Sequence, residues 1–158
     1  MQVTEKHLRY FKNAEFVREG RNWLPMYNPR LLILLDVFRH LTGPCILSPH
    51  NLALGRMSYP KNPRSQHIYD STDGVRAVDC FPYIEELDLP FGSNLENNAS
   101  RWYEIASSIG INGIIIYPNW TYKGKKRIGA HFDIRPEPFH RGYVNGQLVP
   151  IEQALEKL

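Results

Sequence analysis

The chain has little cysteine, 2 residues in 158, and no Cys-x-x-Cys pair. That excludes a thiolate zinc cage, a dithiol redox centre and a disulfide-dense scaffold. Cys45 and Cys80 each lie in an apolar, strand-like run, which predicts buried free thiols. No apolar stretch approaches the ~20 residues that a membrane-spanning helix needs. Residues 1–11 are charged and contain no apolar core segment. No signal peptide is therefore expected, and the product is expected to be made in the cytoplasm. Internal repeats, low-complexity tracts and linkers are missing too. No RNP motif, helix-turn-helix signature or continuous basic face accompanies the net charge of +3. Neither nucleic acid nor membrane is an expected partner.

What is present suits one compact unit. An apolar fraction of 42%, with 12% aromatics and 22% charged residues, is enough for a real core. A single domain over residues 1–158 is expected. Short helical pieces fall within 4–19, with Leu8, Phe11, Phe16 and Val17 as apolar contacts. Asn28-Pro29 opens a helix, Asn as cap and Pro in the first turn. Leu31, Leu34, Leu35 and Phe38 then share one face, and Gly43-Pro44 stops it. Strands are predicted at 45–47, 77–81, 112–118 and 127–135, with a helix over 96–109 and a terminal helix over 150–158. Val144-Asn145-Gly146-Gln147 reads as a tight hairpin turn. Residues 49–75 form a long Pro-, Asn-, Ser- and Gly-rich loop, and such loops are often functional. The whole is an α+β domain, helices packed on one face of a small, mainly antiparallel sheet.

Three stretches carry chemistry: Ser65-Gln66-His67, the strand start Val75-Arg76-Ala77-Val78-Asp79, and His131-Phe132-Asp133-Ile134-Arg135 in the last long strand. Alternation puts Ile128, Ala130, Phe132 and Ile134 on a core face. Gly129, His131, Asp133 and Arg135 fall on the other. In the second strand Ala77, Asp79 and Phe81 share a face, so Asp79 stands among apolar neighbours and needs a cation or donor. Two neutral imidazoles and one carboxylate suit zinc with one open position. The residues alone leave a second arrangement open: a His–Asp pair on a polar sheet face, with an unrelated loop histidine.

The order Ser-x-His, then Ala-x-Asp, then His-x-Asp in a strand resembles the M15 family of zinc peptidases. These are D-alanyl-D-alanine carboxypeptidases and phage L-alanyl-D-glutamate endopeptidases, related in fold to hedgehog signalling domains. The resemblance covers most of the chain, including Glu15-Phe16, the Leu-rich helix, Gly43-Pro44 before Ser48, and the Ile-rich 113–118 strand. It implies a Zn2+ ion held by His67, Asp79 and His131, and hydrolysis of an amide bond in peptidoglycan stem peptides. A phage or prophage protein is implied, acting on the cell wall after lysis release or as part of a particle. The alternative is a structural virion or tail component that keeps the fold and meets other virion proteins.

The sequence departs from the family pattern in three places. Asp70, Ser71, Thr72, Asp73 and Gly74 lengthen the loop between His67 and Asp79. Lys125, Lys126, Arg127 and Ile128 stand where many members carry an acidic or histidine base. Pro49-His50-Asn51 stands where an arginine often holds a substrate carboxylate, leaving Arg56 or Arg64 to substitute. Asp133 is the first candidate base, its rival role being to fix a ligand histidine; Asp70 and Asp73 come next. Arg135 either binds substrate or pairs with Asp133. His50 is expected to be a surface loop residue, and His7, His40 and His140 surface or capping residues. Trp102 and Tyr103 are expected to pack in the core. Trp120 and Tyr122 either line a cleft or pack.

Overall fold

The computed structural model describes residues 2–43, 45–82, 95–122 and 124–157. Two 3-10 turns, Glu5–His7 and Asn13–Phe16, precede a small hairpin of β1 (Val17–Arg18) and β2 (Arg21–Asn22). Leu8, Phe11 and Phe16 are buried as expected, whereas Val17 faces solvent. Helix α1 (Pro29–Thr42) starts where the sequence says it should. The Asn28 side chain accepts from Arg30 N–H, and Gly43 ends the helix at φ 87°. Leu31, Leu32, Leu35 and Phe38 are its buried face; Leu34 is only partly covered.

Among the described residues the main sheet has six strands: β3 (Cys45–Leu47), β4 (Ala77–Pro82), β5 (Gly113–Tyr122), β6 (Lys125–Asp133), β7 (Phe139–Val144) and β8 (Gln147–Pro150). Their spatial order is β3-β4-β6-β5-β7-β8, antiparallel except for β5 against β7. Helices α1, α2 (Leu95–Ser108) and α3 (Ile151–Leu155) pack on it. Ile128, Ala130 and Phe132 of β6 are buried in this core. Phe132 meets Phe38 of α1 at 4.9 Å and Trp102 of α2 at 6.3 Å between ring centroids. Burying such a phenyl ring contributes about 1.5–3 kcal/mol. The β7–β8 turn is Asn145-Gly146, both at positive φ, the Asn-Gly pairing that two-residue hairpins favour. Cys45 and Cys80 are buried free thiols. Among the described residues no helix is long and apolar enough to cross a membrane.

The strand expected at 112–118 runs on to Tyr122, because a register shift between Tyr117 and Trp120 lets it pass Pro118. One extra residue there changes the alternation, so Tyr117 and Trp120 turn to the same side and stack at 4.2 Å.

Candidate metal centre

Strand register builds half the site. Asp79 of β4 lies directly opposite His131 of β6, on the sheet face turned away from the helices. The third residue arrives on the long loop. His67 is held there by Arg56 N–H donating to His67 O at 3.0 Å and by Arg76 N–H donating to Gln66 O at 3.0 Å. All three side chains are buried.

Their inward atoms form a triangle. His67 Nε2 is 3.2 Å from His131 Nδ1, His131 Nδ1 is 2.9 Å from Asp79 Oδ1, and Asp79 Oδ1 is 3.3 Å from His67 Nε2. A tetrahedron with metal–ligand bonds of about 2.0–2.1 Å has edges of about 3.3–3.4 Å. The triangle is thus close to one face of such a tetrahedron, and the three residues can hold a metal ion.

Protonation points the same way. His131 Nε2 lies 2.9 Å from Asp133 Oδ2. That carboxylate is fully buried and accepts from Arg135 Nε at 2.8 Å, Arg135 Nη2 at 2.5 Å and Arg135 N at 3.0 Å. An all-acceptor partner fixes the proton on Nε2 and leaves the Nδ1 lone pair facing Asp79 and His67. Two acceptors at 2.9 Å repel unless a proton or a metal lies between them. In the metal-free chain a proton takes that place. Burial opposes the charge on His131, but hydrogen bonds to Asp133 and Asp79 overcome it and push the imidazole up to about 9. Burial likewise works against ionised Asp79, and the His67 and His131 rings hold it well below the usual carboxylate range. One polar atom is left over: His67 Nδ1 is buried without a hydrogen-bond partner among the described residues.

A glycine makes room for this arrangement. Gly113 of β5 faces Asp133 across the sheet, and a Cβ there would fall on the carboxylate itself. Asp79 also borders an open pocket of about 530 Å³ lined by Ser48, His50, Arg56, Tyr59, Phe81 and Trp120, among others. Trp120 reaches it because Gly129 of β6 has no side chain. The indole lies over that glycine, beside Phe81 at 5.3 Å.

The other expected residues separate clearly. Arg56 lines the pocket, its guanidinium stacked 4.2 Å from the Tyr59 ring. Arg64 is exposed and does not line it. Arg135 is spent on Asp133 and on the Phe139 ring at 4.3 Å, so it pairs with the carboxylate instead of meeting the pocket. Asp133 itself sits on the far edge of the His131 ring. Its geometry suits fixing that ring, and a proton-transfer role does not fit, because both its oxygens are engaged and shielded. Asp70 accepts from Thr72 and Asp73 N–H at 2.8 and 2.9 Å, and these bonds lower its pKa. Asp73 pairs with Arg76 at 3.5 Å. Both belong to a turn that packs against Met26–Asn28, so the inserted loop does not bring a carboxylate over the site.

His50 is exposed as expected, and it lines the pocket. His7, His40 and His140 meet Thr4, Tyr10 and Tyr103 near the surface. The Tyr122 side chain and those of 125–127 lie outside the described residues. Comparison of the chain with protein-family models, with curated proteins and with solved structures gives no match. The centre defines a candidate metalloprotein on its own geometry.

Proposed function

We propose that the chain is a zinc-dependent hydrolase of an amide bond in peptidoglycan stem peptides, encoded by a phage or prophage. The observation that carries the metal half is the buried triangle of His67 Nε2, Asp79 Oδ1 and His131 Nδ1. Two imidazoles and a carboxylate, the three protein donors found among the described residues, are the donor set of a catalytic zinc site. A bound zinc ion supplies Lewis acidity at neutral pH, to an attacking water and to an amide carbonyl.

The chain's own groups supply the rest. Asp133 and Arg135 keep the His131 proton on Nε2, so that Nδ1 remains a donor of electrons. The pocket beside Asp79 is large enough for a short peptide, and among the described residues Arg56 is the arginine on its wall, stacked on Tyr59, with a guanidinium that can take a carboxylate. Phe81 and Trp120 give it an apolar wall. Peptidoglycan stem peptides are short and rich in carboxylates, which fits this lining; the motif order of the sequence supports the same reading.

The test is metal analysis followed by digestion of purified cell wall with and without chelator. One zinc per chain and release of stem-peptide fragments that chelator abolishes are expected. Zinc content unchanged in His131→Ala would overturn the ligand set. One observation favours a structural virion component: among the described residues, Asp79 is the only carboxylate on the pocket wall. On that second reading, zinc-loaded protein leaves the wall intact.

A further inference from the structure

His50 sits in a turn tied at both ends to the main chain of Asp79. Ser48 N–H donates to Asp79 O at 2.8 Å, and Asp79 N–H donates to Ala53 O at 3.3 Å. Inside the turn, Ala53 N–H donates to His50 O at 3.0 Å and His50 N–H to Ser48 Oγ at 3.4 Å. The backbone carrying the imidazole is therefore fixed relative to a metal-site residue. So is the ring, because Leu52 N–H donates to His50 Nδ1 at 3.2 Å. A ring nitrogen that accepts carries no proton, which places the hydrogen of the neutral imidazole on Nε2. The residue is exposed and shares the pocket wall with Asp79, so a ligand reaches it without rearrangement.

We infer that His50 is a catalytic residue of the proposed amide hydrolysis, its Nε2–H donating to the carbonyl oxygen of the scissile bond as that oxygen gains negative charge. The inference rests on the hydrolase reading above. Water adds to the carbonyl carbon, and the carbonyl π pair moves onto oxygen, where the N–H meets it. When that pair returns, the C–N bond breaks, and the amine leaves with a proton that came from the water. His50 keeps its own proton throughout. A donor aimed at developing charge stabilises the transition state more than the ground state.

The experiment compares a tetrahedral with a planar ligand. Phosphinate analogues of the D-alanyl-D-alanine and L-alanyl-D-glutamate bonds, and their amide parents, are titrated calorimetrically into zinc-loaded wild type, His50→Ala and His50→Gln. Zinc content is measured in each, and nitrogen-15 NMR reads the His50 tautomer. His50→Ala is expected to keep its zinc and to lose about tenfold or more in phosphinate affinity. Its amide affinity is expected to change by less than about twofold, and His50→Gln, which restores an N–H donor, to recover part of the loss. Equal phosphinate affinity in His50→Ala, or a proton found on Nδ1, would overturn the inference while leaving the hydrolase reading in place. A wild type that takes no zinc, or binds phosphinate no tighter than amide, fails the hydrolase reading and the inference with it.

Discussion

His131 and Asp133 lie two residues apart on one face of β6, and the imidazole reaches back to the carboxylate, Nε2 to Oδ2 at 2.9 Å. The ring is thereby aimed with Nδ1 toward Asp79 and His67. Asp133→Asn removes the charge and turns one acceptor into a donor. We expect zinc affinity to fall by about 10- to 100-fold, the usual cost of losing such a partner. Competition with a chromophoric chelator measures it. Unchanged affinity with a fall in turnover would instead restore Asp133 as the base.

The raised His131 pKa has a definite sign for stability. In metal-free protein its contribution is complete below the ordinary value of 6.5 and is lost as pH rises through about 9. Asp79 and Asp133 are held low, so their contributions are complete above the ordinary value of 3.8 and lost as pH falls below it. Metal-free protein should therefore be most stable between these two limits and lose stability toward pH 9. Zinc competes with the proton on Nδ1, so its affinity should climb over the interval in which that stability fades. Melting curves with chelator and with zinc across about pH 5 to 9 check both trends.

Arg56 and Arg64 were equivalent candidates in the sequence and are not equivalent in space. Arg56→Ala should cost about tenfold or more in kcat/KM on wall fragments, about 1.4 kcal/mol. Arg64→Ala should cost nothing measurable, because that side chain is exposed away from the pocket. Equal losses in the two variants would refute the assignment.

Gly129→Ala tests the seat of Trp120. A Cβ there collides with the indole and approaches the Phe81 ring, so Trp120 must move. A stability loss of about 1–3 kcal/mol is expected for such overpacking. A shift in tryptophan emission should accompany it, and the same substitution in a Trp120→Phe background should give no shift.

Much of this was legible from periodicity. The alternation of β6 separated Ile128, Ala130 and Phe132 from His131 and Asp133, and the Asn28-Pro29 cap placed the start of α1. Cross-strand register was not legible. Asp79 meets His131 because β4 pairs with β6 while β5, earlier in the chain than β6, lies on its other side. Nothing local to either strand encodes that order. The same holds for Gly113, whose value is the space it leaves for Asp133 on a neighbouring strand. Trp120 was ambiguous because the extra residue after Tyr117 breaks the period on which face assignment depends. His50 read as a surface histidine, which it is; only the return of its turn to Asp79 makes that surface part of the pocket.

The opposition of Asp79 and His131 also bears on how the chain folds. The two residues are 52 apart in sequence, and His67 and His131 are 64 apart. No local segment can assemble the three donors, and contacts of such separation form slowly because long loops must close first. A slip of β6 by one residue would turn His131 into the core and replace it with Phe132 or Ala130. Metal should thus leave the early steps of refolding untouched and slow unfolding instead. Its uptake then times the moment at which β4 and β6 find their register.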